Sequence, residues 1–365
     1  MTRYLLAGGG TAGHVNPLLA VADRLREEHG DAEILVLGTA EGLESRLVPE
    51  RGYELATIPR LPFPRRPGRA AVRFPGEFRR AVRRIRALIA GRGIDIVVGF
   101  GGFVSGPAYV AAWRQRIPIV VHEANAVPGF ANRLGATLTR YVGVAFEGTR
   151  LRNARVVGMP MKRELEVLDP HAARAGALVH FGLDPSRPVL LVTGGSLGAR
   201  SINETVFEAA ASILSAGWSI LHVTGERSPL PESSLPGYRM LRYCDRMELA
   251  YSAAELAIAR AGSATVSELT ALGIPAVYVP LAIGNGEQRL NAKGVVDAGG
   301  ALLVDNADFT PGWVVDVLVP LLIDRPAVAE LAARASGMGM RDGTARMVGL
   351  IRGATPDAAN VGGVP

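Results

Sequence analysis

Two glycine-rich turns, one in each half of the chain, constrain most strongly what this sequence can fold into. The first, Gly8–His14, follows the apolar run Tyr4–Leu6 and precedes apolar residues at helical spacing, so we expect it to join a buried strand to a helix. The second, Gly194–Ala199, follows the buried run Val189–Val192 in the same way. Glycines let the backbone approach a ligand, and the free N–H groups of a helix start favour a phosphate. The alternative is an ordinary tight turn of an α/β domain, but two equivalent turns predict two nucleotide-binding domains that face each other.

Length and composition fit this interpretation. The chain has 365 residues, which is long for one core and comfortable for two domains. No apolar run approaches the roughly 18 residues of a membrane span, and Cys244 is the single cysteine, which excludes an internal disulfide and a cysteine-based zinc site. The first residues enter a strand directly, so we expect no signal peptide and a cytoplasmic location.

Positive charge is concentrated in the segment Arg60–Arg92. It holds eleven arginines and one acidic residue, Glu77, whereas the net charge of the whole chain is only +6, so the remainder is mildly acidic. Such a patch indicates a specific anionic surface. Aromatic residues are few and no nucleic-acid motif is present, so no nucleic-acid partner is predicted.

Part of this segment is predicted to form a long helix, Ala70–Ala90, with Val82–Ile89 as its core-facing stripe. Exposed phenylalanines flanked by arginines are typical of attachment to anionic lipid; the alternative is an ordinary basic outer face. The residues predicted to dock on the membrane are Phe63, Phe74, Phe78, Arg79, Arg80 and Arg83.

Strands and helices alternate along both halves. The polar motifs Gly101–Pro107 and His122–Asn125 come after strands, and the carboxyl ends of parallel strands share one edge of a sheet, so we expect both motifs beside the first glycine-rich turn. The last strand of the first half is predicted at Val156–Pro160. The second half is predicted to end in three helices, the first over Thr310–Leu322, and Ala354–Pro365 is predicted to be disordered.

The second half carries polar residues at two helix starts. Ser263 and Thr265 are predicted to cap a helix that suits a diphosphate, and Glu268, one turn further on, can accept hydrogen bonds from a ribose diol. The alternative is a capped helix with a first-turn acid that the helix dipole favours. The helix start that carries Gln288 can bind sugar hydroxyls or be a solvated helix end.

Three further residues have acid–base chemistry. His14 lies at the mouth of the first glycine-rich turn, whereas His122 and Glu123 form either a catalytic pair or part of the core. No metal-ligand spacing and no Asp-x-Asp pair occur, so neither a metal nor another cofactor is predicted. The charge of a bound diphosphate is expected to be met by helix ends and basic side chains.

Seven motifs follow one another in the order GGGTAGH, GGFVSGP, HEAN, VVGMP, GGSLGAR, RAGSATVSE and GNGEQRLNA. In these motifs, across about residues 3–352, the chain resembles the MurG family, the peripheral-membrane N-acetylglucosaminyltransferases of peptidoglycan synthesis. The resemblance implies a GT-B fold, in which two Rossmann-like parallel-sheet domains face each other across a cleft. It implies metal-independent, inverting transfer of GlcNAc from UDP-GlcNAc to undecaprenyl-pyrophosphoryl-MurNAc-pentapeptide (lipid I), which gives lipid II.

The resemblance also implies a domain division, a location and partners. Residues 1–161 would bind the acceptor and the membrane, with a helix at 339–353 packing back on them, and residues 162–338 would bind UDP-GlcNAc. The protein would lie on the cytoplasmic face of the cell membrane, among proteins of cell-wall synthesis and division. The rival functions are another lipid-directed sugar transferase, a sugar-nucleotide epimerase and a non-catalytic nucleotide-sugar or lipid-binding protein.

Residue roles follow from the same resemblance. For UDP-GlcNAc, it implies that the backbone of Cys244 binds uracil, with Met247 nearby, and that Glu268 binds the ribose. The residues implied to bind the diphosphate are Ser196, Ser263, Ala264 and Thr265. The GlcNAc hydroxyls would be bound by Gln288 and Asn125. Thr11, Ala12 and Gly13 are also assigned to the UDP-GlcNAc site, and a cation at Lys162 or Arg163 would contact the nucleotide. The acceptor diphosphate would lie on Gly10, Thr11, Gly13 and His14, and His14 is the implied general base.

Overall fold

The computed structural model describes residues 1–64, 68–195, 198–281 and 286–355. The chain divides into two compact units, Met1–Lys162 together with Asp342–Pro365, and Arg163–Arg341. Each unit is built on one parallel sheet, which confirms the predicted pair of Rossmann-like domains. In the part of the chain described, no helix combines the length and the apolar character needed to cross a membrane. Of the predicted disordered tail, residues 356–365 lie outside the described residues.

The first unit alternates strands with helices. Its strands β1 to β7 are Arg3–Ala7, Glu33–Gly38, Glu54–Thr57, Ile96–Gly99, Ile119–Glu123, Tyr141–Val144 and Ala154–Val156. Its helices α1 to α5 are Ala12–Glu28, Glu44–Glu50, Arg69–Arg92, Ser105–Arg114 and Phe130–Leu138. The strand order is β3-β2-β1-β4-β5-β6-β7. Chain order therefore reverses between β1 and β4, and ligands of open α/β sheets bind outside such a reversal.

The second unit repeats the pattern. Its strands β8 to β13 are Val189–Thr193, Ser219–Val223, Tyr238–Leu241, Leu256–Ala259, Ala276–Tyr278 and Ala301–Leu303. Its helices α6 to α11 are Arg163–Glu166, Pro170–Phe181, Arg200–Ser215, Met247–Ala253, Ser263–Ala271 and Glu287–Asp297. A helical stretch follows, with α12 at Pro311–Trp313, a π-helical turn at Val314–Leu318, α13 at Val319–Ile323 and α14 at Arg325–Gly337. The strand order β10-β9-β8-β11-β12-β13 reverses between β8 and β11.

The last helix, α15 (Gly343–Arg352), belongs to the first unit although it follows the second in sequence. Met347 and Ile351 are completely buried in the core that α1 and β1 build. Thr344 accepts a hydrogen bond from the Met161 N–H at 3.1 Å and donates one to the Met161 carbonyl at 3.0 Å. The unit therefore closes with a segment taken from the far end of the chain.

Most predicted elements are confirmed, but the end of the first sheet is not as predicted. The predicted strand Val156–Pro160 is wrong, because β7 ends at Val156, and neither β6 nor α5 was predicted. These elements are short, and β6 contains Gly143, so the apolar periodicity that reveals longer elements is weak there. The motif His122–Asn125 was expected to follow a strand, but its first two residues, His122 and Glu123, are the last two residues of β5.

Candidate active-site residues of the two units

The first glycine-rich turn lies at the point where the strand order of the first sheet reverses. Helix α1 starts after Thr11, which provides no side-chain cap, and Gly10 has φ +90°. The neighbouring turn after β4 contains Gly101 and Gly102, at φ +97° and +79°. A Cβ atom on Gly102 would lie 2.6 Å from the Gly9 carbonyl oxygen, so the two turns can pack together only because this residue is glycine.

His14 occupies the first turn of α1, beside these glycines. Its Nδ1 atom lies 3.2 Å from the Gly9 carbonyl oxygen and 3.2 Å from Thr11 Oγ1. Burial lowers the pKa of His14, and the carboxylates of Glu123 and Glu44 partly oppose this shift. The imidazole is therefore neutral at neutral pH, which is the state that a general base requires.

His122 and Glu123 have structural partners. Both are buried, and His122 Nε2 donates to the Gly158 carbonyl at 3.1 Å, while burial lowers its pKa to about 4. Glu123 accepts hydrogen bonds from the N–H groups of Asn125 at 2.9 Å and Gly129 at 3.0 Å, and from Asn132 Nδ2 at 3.0 Å. Of the two alternatives left open by the sequence, this geometry favours a core role in which Glu123 shapes the loop that carries Asn125.

The corresponding turns of the second unit follow β8 and β11, again where the strand order reverses. The prediction that Ser263 and Thr265 cap α10 is wrong, because the N-cap residue is Gly262 and no side chain caps the helix. The first-turn N–H groups consequently lack a side-chain acceptor, as an anion site requires. In the turn after β8, Ser196 lies outside the described residues, and a Cβ atom on Gly198 would lie 2.3 Å from the Thr224 carbonyl oxygen.

Glu268 is half-buried on α10 and is held by a residue that the sequence analysis did not single out. The hydroxyl of Tyr251, on α9, donates to Glu268 Oε2 at 2.7 Å. Cys244 and Met247 lie just before and at the start of α9; Cys244 is buried, which raises its thiol pKa, and Met247 is half-buried. The residues assigned to ribose and uracil therefore come from two neighbouring elements that one hydrogen bond connects.

The residues assigned to GlcNAc binding, and the basic residues assigned to contact the nucleotide, are accessible. Gln288 is half-buried on α11, and its Oε1 accepts the Leu281 N–H at 2.9 Å, which presents the amide NH₂ as the donor for a ligand. Asn125 is half-buried in the loop after β5. Lys162 and Arg163, both exposed, are the last residue of one unit and the first of the other, so the choice between them stays open.

Arg260 is a second residue near the proposed donor site that the sequence analysis did not single out. Its guanidinium donates to the carbonyls of Val279 and Pro280, to Asn306 Oδ1 and to Ser201 Oγ, at 2.7 to 3.2 Å. Burial lowers its pKa. These bonds connect the ends of β11 and β12 to α8. The available signal was the position of Arg260 directly after β11 and two residues before the N-cap glycine of α10.

The residues predicted to dock on a membrane form an aromatic cluster in the first unit. Phe63 is 51% exposed, Phe74 and Phe78 are half-buried against the core, and the arginines at 79, 80 and 83 are exposed. Phe130, at the start of α5 and 66% exposed, stacks on Phe63 with ring centroids 4.9 Å apart. Its place in the cluster was not predicted, because it lies far from the basic segment in sequence.

Among the described residues, no group of three or more His, Cys, Asp or Glu side chains is arranged to hold a metal ion. The prediction that turnover needs no metal remains a prediction.

Comparisons with known proteins give consistent matches over both units. Residues 4–143 match the glycosyltransferase family 28 N-terminal domain, and residues 189–347 match the C-terminal domain of the same family. A protein of Leifsonia xyli subsp. xyli, named UDP-N-acetylglucosamine–N-acetylmuramyl-(pentapeptide) pyrophosphoryl-undecaprenol N-acetylglucosamine transferase, is 64% identical over 352 residues, covering 96% of this chain and 98% of the relative. A Clavibacter sepedonicus protein of the same name is 59% identical over 97% of each chain. The crystal structure of Acinetobacter baumannii MurG superposes with a TM-score of 0.77 at 29% identity, over 96% of this chain and 99% of that one.

Proposed function

Since the chain belongs to glycosyltransferase family 28 and, within it, to the MurG enzymes, we infer that it transfers GlcNAc from UDP-GlcNAc to undecaprenyl-pyrophosphoryl-MurNAc-pentapeptide. It is an N-acetylglucosaminyltransferase of peptidoglycan synthesis with the GT-B fold, and it converts lipid I to lipid II. The match of both units, at high identity over nearly the whole chain, carries this conclusion. An epimerase or a diacylglycerol glycosyltransferase is not favoured by any comparable observation.

The donor is proposed to bind the second unit. Glu268, oriented by Tyr251, would accept hydrogen bonds from the ribose hydroxyls, while the backbone at Cys244 would contact uracil. The uncapped start of α10 supports a diphosphate site at Ser263, Ala264 and Thr265, because its N–H groups and dipole stabilise negative charge. Ser196 is proposed to complete this site, and Gln288 and Asn125 are proposed to hold the GlcNAc hydroxyls.

The acceptor is proposed to place its diphosphate on the first glycine-rich turn, with His14 as the general base. The MurNAc 4-hydroxyl would attack the anomeric carbon, and its proton would pass to His14 Nε2. The bond from the anomeric carbon to the β-phosphate oxygen would break, and its electron pair would leave on UDP, so that the configuration inverts. Burial lowers the pKa of His14 and so keeps its imidazole neutral, which supports the role of general base.

Helix dipoles and cations would stabilise the departing UDP, so we expect turnover to persist in EDTA. Reversible loss of activity in EDTA would show instead that a divalent ion supplies this stabilisation.

Because the proposed acceptor is carried on a membrane lipid, the enzyme has to reach a membrane surface. We propose that the aromatic cluster of Phe63, Phe74, Phe78 and Phe130 and the arginines of α3 dock the enzyme on an anionic membrane, at its cytoplasmic face. Exposed aromatic rings beside dense positive charge support this proposal. Proteins of cell-wall synthesis and division are proposed as further partners on the family resemblance alone.

The function is tested by incubating the purified chain with radiolabelled UDP-GlcNAc and a lipid I analogue, and determining the linkage of the product. We expect a GlcNAc–MurNAc disaccharide lipid. His14→Ala should lower kcat about 10²-fold or more while UDP affinity stays nearly unchanged. Absence of transfer by the unaltered protein would contradict the function, and equal losses of UDP affinity and kcat in the variant would contradict only the base role.

A further inference from the structure

Helix α2 places a carboxylate beneath the first glycine-rich turn. The side chain of Glu44 is completely buried. Its Oε2 atom accepts the Gly10 N–H at 2.8 Å, and its Oε1 atom accepts the Thr39 N–H at 2.8 Å and the Thr39 hydroxyl at 2.7 Å. Burial raises the pKa of Glu44, but these hydrogen bonds outweigh it and lower the pKa, so the group is a carboxylate.

The backbone around Glu44 leaves room for this carboxylate and for little else. Cβ atoms on Gly9, Gly38 and Gly42 would lie 2.3, 2.4 and 2.0 Å from atoms of the Glu44 side chain. Two segments of chain, the first glycine-rich turn and the connection from β2 to α2, therefore approach the carboxylate at positions where only glycine fits. A buried charge that is this closely enclosed has a fixed position, so its hydrogen bond to Gly10 has a fixed direction.

That hydrogen bond orients a whole peptide group. The Gly10 N–H and the Gly9 carbonyl belong to the same planar trans peptide unit, so they point to opposite sides of it. On one side the N–H donates to Glu44, and on the other the carbonyl oxygen lies 3.2 Å from His14 Nδ1. Turning this peptide plane would break both contacts together.

The contact between Gly9 and His14 decides the tautomer of the imidazole. A carbonyl oxygen can only accept a hydrogen bond, so Nδ1 must carry the proton, and Nε2 keeps its lone pair in the neutral ring. The Thr11 hydroxyl, also 3.2 Å from Nδ1, can donate or accept and so suits either tautomer. The carbonyl alone distinguishes the two forms.

We propose that Glu44 is a positioning residue for His14: by holding the Gly9–Gly10 peptide plane, it keeps the imidazole in the tautomer whose basic atom is Nε2. The assignment of the tautomer rests on the geometry alone. Its consequence for turnover rests on the proposed function, in which Nε2 of His14 accepts the proton of the acceptor hydroxyl.

The test uses the full chain with ¹⁵N-labelled histidine, above pH 7.5, and Glu44→Gln. Glutamine keeps the size of the side chain but must turn its NH₂ group toward the N–H of either Gly10 or Thr39, and both of these groups are donors. We expect the ¹⁵N shifts of His14, assigned by their absence in His14→Gln, to show a protonated Nδ1 in the unaltered protein and a mixture of tautomers in Glu44→Gln. We also expect kcat to fall about tenfold or more, with the KM for UDP-GlcNAc changed less than twofold.

Two variants separate positioning from folding. Thr39→Val removes a hydrogen bond to the other carboxylate oxygen and spares the bond to Gly10, so its His14 shifts should match those of the unaltered protein. Glu44→Asp keeps the charge but withdraws it by one methylene, and it replaces Glu44→Gln if that variant fails to fold. In the His14→Ala background, the Glu44 substitution should lower kcat no further.

The outcomes are distinguishable. Unchanged His14 shifts in both folded Glu44→Gln and folded Glu44→Asp would overturn the proposal, whatever happens to kcat. If His14→Ala leaves kcat unchanged, the base role fails, and the ¹⁵N shifts still decide whether Glu44 sets the tautomer.

Discussion

Single buried side chains hold the turns of both units. In the second unit, His222 lies below the turn after β8, with Nδ1 2.8 Å from the Tyr238 hydroxyl and Nε2 3.1 Å from Asn203 Oδ1. Asn203 in turn donates to the Thr224 carbonyl at 2.7 Å, the same oxygen that lies against Gly198. The neutral imidazole donates from Nε2 to Asn203 and accepts at Nδ1 from the Tyr238 hydroxyl, and protonation would remove that acceptor and place a charge in a buried site.

We predict from this that the fold loses stability in acid. Burial lowers the pKa of His222 to about 4 in the folded state, compared with about 6.5 when unfolded. The unfolded chain therefore binds the proton first, and stability that is fully present above about pH 6.5 is lost as the pH falls toward about 4, on the order of 3 kcal/mol in total. Urea unfolding between pH 7.5 and 4.5 measures it. Burial also lowers the pKa of His122 to about 4, so His122 contributes a similar pH dependence. His222→Gln should therefore roughly halve the dependence, and an equally steep dependence in the variant would contradict the assignment.

Tyr251 leads to a second prediction for a single residue. Its hydroxyl donates to Glu268, so Tyr251→Phe should leave the carboxylate less well oriented for the ribose. We expect UDP to bind about tenfold more weakly, a loss of about 1.4 kcal/mol, with kcat at saturating UDP-GlcNAc retained.

Calorimetry with UDP and 2′-deoxy-UDP checks it, since the variant should also discriminate less between the two. Tyr238→Phe is the matched control, because Tyr238 donates to His222 instead. Unchanged discrimination in folded Tyr251→Phe would argue against ribose recognition by Glu268.

At the scale of elements, α3 has two different environments along its length. Val82, Ile85 and Ile89 are buried in the core, as the predicted stripe required, whereas its first turns carry Phe74 and Phe78 beside Phe63. Phe130 of α5 extends this cluster. Two helices that are distant in sequence thus build one exposed aromatic surface next to exposed arginines.

Reversing the charge of Arg79, Arg80 and Arg83 to Glu should release the protein from anionic vesicles, because each arginine near such a surface contributes about 1 kcal/mol. Transfer to a membrane-bound acceptor should slow, and transfer to a short-chain soluble acceptor should not. The same reversal at Arg150, Arg152 and Arg155, also exposed in the first unit, is the matched control. Co-sedimentation across a salt series measures binding. Equal sedimentation of the α3 variant and the unaltered protein would mean that another surface docks.

At the scale of the whole molecule, the chain leaves the first unit and returns to complete it. The return segment, α15, supplies Met347 and Ile351 to a core whose other residues come mainly from the first hundred residues, with Val120 of β5, Tyr141 of β6 and Val157 after β7. The core of the first unit is therefore finished only by residues that follow the entire second unit.

We predict that Ile351→Ala destabilises the first unit by about 2–5 kcal/mol, because it leaves a cavity in a closed core. UDP affinity should be retained, since the residues proposed to bind UDP belong to the second unit. Urea unfolding and UDP calorimetry on the full chain measure both quantities. Val179→Ala, at a residue 82% exposed on α7, is the control and should change stability little. A comparable effect of both substitutions would contradict the core role of α15.

The sequence by itself determined the features that depend on neighbouring residues. Apolar periodicity identified most strands and helices, and the glycine-rich turns and ordered motifs indicated both the architecture and the family. The local sequence is sufficient to predict these features, because a strand–turn–helix unit requires particular residue types within a short segment. Prediction from the local sequence failed at β6, which is too short to give a clear pattern, and at the start of α10, where the N-cap residue is a glycine.

The tertiary structure alone decided which of these segments meet. From sequence, Glu44 is an ordinary acid in the first turn of a helix, and only folding places it under Gly10 without exposure to water. Tyr251 and Phe130 likewise gain their roles from partners 17 and 67 residues away in the chain. Strand order and burial depend on packing between segments that are distant in the chain. The free energy of that packing cannot be deduced from the apolar periodicity of any single segment.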